Sequence, residues 1–324
     1  MDGTKRGGTI VSGAVLILLG LPLVLALSQE ISFSVRNRTN GTIVSSGQKR
    51  TYLLHVPPGY RRAKPASLVI SLHGAAGWPV QQMETSRWNR LADEQGFIVV
   101  FPSGLESAGP RLWHVGQGAG LERDVRFISE LIDALSAAYA IDATRIYANG
   151  LSNGGAMAFV LSCTLSDRIA AIGMVASAQT LPWSWCADRR AVPMIAFHGT
   201  KDPIIPYGGG RSPIAPDLFP SVPVWTARWA RQNGCGASVE SRMAADVTRI
   251  AYGGCTDAAS VVLYRVEGGG HSWPGGKPLP EWLVGTTSDG IDATRVMWEF
   301  FREHPLRHAA SASVPSKLSA TEEP

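Results

Sequence analysis

Three short segments combine a reactive side chain with the glycines of a tight loop, and each follows an apolar run. Gly150-Leu151-Ser152-Asn153-Gly154-Gly155 comes directly after Arg145-Ile146-Tyr147-Ala148-Asn149 and before Ala156-Met157-Ala158-Phe159-Val160-Leu161. A G-x-S-x-G run between a strand and a helix is the setting in which a strained turn lifts a serine hydroxyl above the sheet edge. The glycines have a physical reason, because the turn needs unusual backbone angles and the helix must pass close to the strand. Ser152 is therefore a candidate nucleophile for acyl transfer.

A serine on such a turn needs an acid and a base further along the chain, in that order. Val192-Pro193-Met194-Ile195-Ala196-Phe197-His198 reads as a buried strand, and Gly199-Thr200-Lys201-Asp202-Pro203 as the loop at its carboxyl end. Asp202 is the candidate acid; a turn-forming aspartate before proline is the alternative. Ser260-Val261-Val262-Leu263-Tyr264-Arg265-Val266 reads as another strand, opening into Glu267-Gly268-Gly269-Gly270-His271-Ser272-Trp273-Pro274. His271 is the candidate base. A metal ligand is the other reading, but no second His, Cys or carboxylate stands at ligand spacing from it, so no metal is expected. All three candidates sit just past strand carboxyl ends, where open α/β sheets place their ligands.

Acyl transfer also needs hydrogen-bond donors for the developing oxyanion. The backbone N–H of Asn153, directly after the nucleophile, is one candidate. The strand Ser67-Leu68-Val69-Ile70-Ser71-Leu72 runs into His73-Gly74-Ala75-Ala76-Gly77, and the N–H of Ala75 is the second, with Gly74 as fallback. His73 and His198, each before a glycine, read as loop-shaping rather than catalytic.

The elements that must position these groups alternate between strand and helix, with no internal repeat. Residues 81–95 predict one helix and 96–102 a strand. Residues 122–140 predict an amphipathic helix with Val125, Phe127, Ile128, Leu131, Ile132 and Leu135 on its apolar side, and Asp124 capping or starting it. Residues 207–223 are rich in Gly and Pro and read as a loop or short lid near Asp202. Residues 289–304 predict a closing helix, and Asn40-Gly41 predicts a hairpin turn, although Asn37-Arg38-Thr39 and Asn40-Gly41-Thr42 also match the glycosylation sequon.

Together these segments resemble the secreted α/β-hydrolase esterases that include polyhydroxybutyrate depolymerases and the feruloyl or acetylxylan esterases of the carbohydrate esterase family 1 type. The resemblance rests on Tyr52-Leu53-Leu54-His55-Val56-Pro57-Pro58-Gly59-Tyr60, Leu72-His73-Gly74, the Ser152 segment, His198-Gly199-Thr200-Lys201-Asp202-Pro203-Ile204-Ile205-Pro206-Tyr207 and Gly268-Gly269-Gly270-His271-Ser272-Trp273-Pro274-Gly275. It spans residues of roughly 50 to 300. It implies an α/β-hydrolase fold with a mostly parallel sheet flanked by helices and a small loop or lid insertion. It further implies a serine esterase acting through Ser152, Asp202 and His271 on hydroxyalkanoate or feruloyl and acetyl-polysaccharide esters, without cofactor. The same triad would also suit a peptidase or thioesterase, and a silent hydrolase fold would suit a binding protein. Ala75 and Lys201 depart from the pattern, and little follows the last predicted helix, where depolymerases of this type append a substrate-binding domain.

The chain has 324 residues and a net charge of +4, too weak a balance to argue for nucleic acid. One catalytic domain over 29–304 is expected, with a disordered tail over 305–324. Residues 1–28 read as a signal peptide or N-terminal anchor, with Lys5 and Arg6 ahead of an apolar run. Export to a secreted or periplasmic location is expected, as a monomer acting on small-molecule or polymer esters, with no stable membrane partner unless that segment is uncleaved. Cys163, Cys186, Cys235 and Cys255 allow three connectivities; neighbour pairing, Cys163 with Cys186 and Cys235 with Cys255, is also what the resemblance implies. Among ten tryptophans, Trp273, Trp78 and Trp113 are candidates to line the substrate site.

Overall fold

The computed structural model describes residues 38–105, 111–186, 190–212 and 218–307. The signal or anchor expected at 1–28 and the tail from 308 lie outside these residues. In chain order the elements are β1 (Gly41–Ser45), β2 (Gln48–His55), β3 (Ala66–Leu72), α1 (Pro79–Ser86), α2 (Trp88–Gln95), β4 (Ile98–Pro102), α3 (Ala119–Ala138), β5 (Ile141–Leu151), α4 (Asn153–Thr164), β6 (Ala171–Val175) and β7 (Met194–Gly199). The short strands β8 (Gly210–Arg211) and β9 (Leu218–Phe219) come next, then α5 (Val222–Gln232), β10 (Ser238–Ala244), β11 (Val247–Tyr252), β12 (Val261–Val266), α6 (Glu281–Val284) and α7 (Ala293–Glu303).

Ten of the strands form one sheet in the order β1-β2-β4-β3-β5-β6-β7-β12-β11-β10. Pairing is parallel from β4 through β12 and antiparallel at both edges. Parallel neighbours need crossover connections, and the helices that supply them cover both faces. The strand residues divide by period two. Leu68, Ile70 and Leu72 pack with Phe127, Ile128 and Leu131 of α3 on one face, while Val69 packs with Trp88, Trp298 and Phe301 on the other. Burial on both faces explains why β4 and β6 read as unbroken apolar runs.

The chain runs from β3 outward to β4 and then crosses to β5 on the other side of β3. This reversal is the position where open α/β sheets leave a crevice at their carboxyl ends. Register carries that edge across the sheet: Leu72 pairs with Gly150, Leu151 with Val175, Val175 with Phe197, and Gly199 with Val266. The loops holding Ala75, Ser152, Asp202 and His271 therefore leave the sheet side by side.

Several local expectations change. Residues 81–95 are two helices, broken at Arg87, which takes φ 59°. The hairpin turn is Ser46-Gly47, both with positive φ. Asn40-Gly41 lies at the start of the ladder, where the Asn40 carboxamide accepts from Leu54 N–H (2.7 Å) and donates to Leu54 O (2.8 Å). Gly41 is opposite Tyr52, and a Cβ there would lie 2.1 Å from the Tyr52 ring. The β10–β11 hairpin has no counterpart in the sequence reading, because β10 is exposed over most of its length and carries no core pattern. Leu306, assigned to the tail, is buried, and its N–H donates to Thr144 O at 2.7 Å.

Two disulfides form, Cys163–Cys186 and Cys235–Cys255. The first ties α4, the helix behind Ser152, to the turn Trp183–Cys186 that follows β6. Among the described residues, no helix is long and apolar enough to cross a membrane.

Candidate active site

Ser152 is the single residue between β5 and α4, with φ 55° and ψ −120°. That conformation is costly for a residue with a Cβ, so the surroundings must enforce it. They do so by close approach. A Cβ at Gly150 would lie 2.3 Å from the Gly154 carbonyl carbon, and one at Gly154 would lie 2.2 Å from Leu72 O. The turn is also held by Ser152 N–H donating to Val175 O (2.9 Å) and by Ser177 Oγ donating to Ser152 O (2.7 Å).

Asp202 stands on the turn after β7, its carboxylate fully buried. Oδ1 accepts from the N–H groups of Ile204 and Ile205, each at 2.8 Å. His271 Nδ1 lies 2.9 Å from Oδ2 and 3.1 Å from Oδ1. Burial would push this carboxyl up, but hydrogen bonds from His198 and His271, reinforced by their Coulomb attraction, hold it well below the usual carboxylate range. The group is therefore an ionised acceptor, so the proton on the His271 ring sits at Nδ1 and leaves Nε2 as the basic nitrogen. His271 is itself held by its N–H donating to Val284 O at 2.5 Å.

His198 is closer to the chemistry than its sequence suggested. Its Nε2 donates to Ile205 O (2.9 Å) and lies 3.3 Å from Asp202 Oδ2. A histidine four residues before the acid, at the end of its strand, was the available signal. His73 plays a different part. Gly104 N–H donates to its Nε2 (3.0 Å), so the ring proton is on Nδ1, where it donates to Gly74 O (2.7 Å). Burial pushes its pKa down to about 4, keeping the ring neutral.

Ser152 lies at the junction of two cavities that share Ala75, Ser152 and Ile204 as walls. One, about 330 Å³, adds His271, Leu279, Leu283 and Val284. The other, about 300 Å³, adds Asn153, Leu112, Val115, Ala156 and, from the β8–β9 hairpin, Phe219. Asn153 is the first residue of α4, so its N–H has no acceptor within the helix. In the β3–α1 loop the N–H groups of Ala76 and Gly77 are used, by Arg111 O and Gly74 O, while Ala75 borders both cavities.

Residues 50–181 match the family model described as Esterase PHB depolymerase. Those residues, which include Ser152, carry the Esterase PHB depolymerase family domain. The chain is 30% identical over 234 residues to Feruloyl esterase B of Piromyces equi, covering 70% of itself and 44% of that protein. It is 26% identical over 306 residues to Feruloyl esterase D of Neurospora crassa, covering 89% of itself and 94% of the relative. It thus spans less than half of the Piromyces equi relative and nearly all of the Neurospora crassa one. Among solved structures, the acetyl xylan esterase from Aspergillus awamori superposes with a TM-score of 0.56 at 16% identity, over 72% of this chain and 93% of that one. The shared fold is the α/β-hydrolase.

The fold does not bring the expected tryptophans into the cavities beside Ser152. Trp273 is buried and lines neither cavity, its Nε1 donating to Thr294 Oγ1 (2.9 Å). Trp113 is equally buried, with Nε1 donating to His73 O (3.1 Å). Trp78 lines a separate surface cavity with Leu53, Met83 and Lys277. Each lies in a loop beside the site, and sequence proximity does not say which way a ring points. The apolar walls are instead aliphatic side chains joined by Phe219, several of them, such as Leu112, Val115, Leu279 and Leu283, from segments with no motif.

Proposed function

We propose that this protein is a serine-dependent carboxylic ester hydrolase working through an acyl-enzyme. The observation that carries this reading is that His271, paired with buried Asp202, and the strained Ser152 line one cavity. Ser152 Oγ attacks the ester carbonyl while His271 Nε2 takes its proton. Asp202 keeps the ring in the Nδ1–H form and stabilises the imidazolium. The N–H groups of Ala75 and Asn153 bind the oxyanion. His271 then gives its proton to the departing alkoxide, water enters on the same side, and the cycle repeats to free the acid.

Proton delivery gives the cleft a direction. The alcohol half must leave beside His271, over Leu279, Leu283 and Val284. The acyl half then occupies the opposite cavity, walled by Leu112, Val115, Ala156 and Phe219. Apolar walls on the acyl side suit a hydroxyalkanoyl, acetyl or feruloyl group, in keeping with the names carried by the family model and the relatives. The two disulfides favour a secreted or periplasmic location, since such bonds persist in oxidising compartments.

A fluorophosphonate probe tests the chemistry: wild type should be labelled and Ser152→Ala should not, and equal labelling of both would sink the reading. A panel of methyl ferulate, acetylated xylan, hydroxybutyrate oligomers, short nitrophenyl esters and a peptide amide tests the substrate class. Turnover of the amide alone would replace the esterase with a peptidase.

A further inference from the structure

The segment from Arg111 to His114 touches no motif in the sequence, yet it is bonded to both sides of the candidate oxyanion site. On one side, Asn153 uses its whole carboxamide on Trp113. Oδ1 accepts from Trp113 N–H at 2.7 Å, and Nδ2 donates to Trp113 O at 3.0 Å. On the other side, Trp113 Nε1 donates to His73 O (3.1 Å), and Ala76 N–H donates to Arg111 O (2.7 Å). The far end is pinned by His114 N–H donating to Asp124 Oδ2 (2.9 Å), and that buried carboxylate is paired with Arg50 at 2.8 Å.

These bonds make one rigid unit of two loops that leave different strands. Asn153 presents the N–H on the elbow side, Ala75 presents the N–H on the β3 side, and the Trp113 segment bridges the two. The β3–β5 ladder stops at Leu72 and Gly150; beyond it Gly154 packs closely on Leu72 O and His73 O, and the Trp113 segment adds directional hydrogen bonds to both loops. Misplacing a preorganised donor by a fraction of an ångström costs rate and leaves ground-state binding intact.

Resting on the esterase reading above, we infer that the Asn153 side chain, through its paired hydrogen bonds to the Trp113 backbone, is a positioning residue that holds the Ala75 and Asn153 N–H groups at oxyanion spacing. Asn153 thus serves twice, once by its backbone N–H and once by its carboxamide. Trp113 acts here as a structural strut of the site and not as a substrate wall.

The test is steady-state hydrolysis of a matched oxoester and thionoester by wild type, Asn153→Leu and Asn153→Gln. A thiocarbonyl sulfur accepts hydrogen bonds weakly, so the oxo-to-thiono rate ratio reports on the donors themselves. Asn153→Leu removes both side-chain bonds at similar volume. It should lower kcat by about 10- to 100-fold, below the loss from deleting a donor outright, with KM within about threefold and a smaller oxo-to-thiono ratio. Asn153→Gln keeps donor and acceptor and should recover part of the loss. Unchanged kcat in Asn153→Leu, or a lower kcat with an unchanged ratio, overturns the inference. Wild type that neither hydrolyses the oxoester nor takes a fluorophosphonate label fails differently, since it removes the esterase reading itself.

Discussion

Among the described residues two aspartates are buried, each beside a histidine, and they are held in different ways. Asp124, inside α3, has the permanent cation Arg50 at 2.8 Å and His114 Nδ1 at 2.9 Å. Asp202, on the loop after β7, has two backbone N–H groups and the imidazoles of His271 and His198. A carboxylate matched by a guanidinium has its charge spent on a permanent partner. A carboxylate held by amides and imidazoles keeps its negative charge available, so a proton arriving on His271 is stabilised. The same pair of residue types is a brace in one place and a proton relay support in the other.

Asp202→Asn probes that difference most sharply. It should lower kcat by about 10⁴-fold, the order seen when a triad acid becomes an amide. The thermal midpoint should fall only by the share that the ionised carboxylate contributes, since Asn Oδ1 can still accept from Ile204 and Ile205. Hydrolysis rates set against a circular-dichroism melt check both halves, and a large melt shift with intact kcat would erase the distinction.

Asp124→Asn should do the reverse. It leaves Arg50 buried without its counter-charge and should destabilise by about 3–5 kcal/mol. Its kcat per phosphonate-labelled site should fall by less than about tenfold. Chemical denaturation with active-site titration separates the two quantities. A kcat loss as deep as that of Asp202→Asn would mean that both carboxylates serve the chemistry.

The pH dependence of stability offers a smaller contrast. Asp202 is held below its ordinary value, so the unfolded chain takes up its proton first. Its contribution is present above a pH of about 4 and is lost as pH falls towards the folded value. His73, pushed down to about 4, stays neutral when folded, while the unfolded ring protonates near a pH of about 6.5. Its contribution is present above that pH and is lost between there and the folded value as pH falls. Denaturation midpoints between pH 7 and 4 should therefore decline in wild type and decline less in His73→Gln. Equal slopes would remove His73 from the account.

The parts of the fold readable in the sequence were those governed by local geometry. G-x-S-x-G after an apolar run signalled the turn because only glycines fit at Gly150 and Gly154, and runs such as Met194–Gly199 signalled strands because both faces are covered. Asp124 was misread as a cap for an instructive reason. It occupies a position on the apolar stripe between Leu121 and Phe127, and the partner that makes it tolerable there, Arg50, is 74 residues away. The break at Arg87 and the exposed β10 strand likewise carried no periodic signal of their own.

By itself the sequence determined that Ser152, Asp202 and His271 stand in order at the ends of strands, because turn chemistry and hydrophobic period act over a few residues. The tertiary structure alone decided which aspartate has a permanent cation beside it, that His198 joins Asp202, that Trp78, Trp113 and Trp273 lie outside the two cavities at Ser152, and that Trp113 links Asn153 to His73. Those outcomes depend on which polar groups meet across distant segments once water is excluded, and a buried group must take the partner that the packing brings to it.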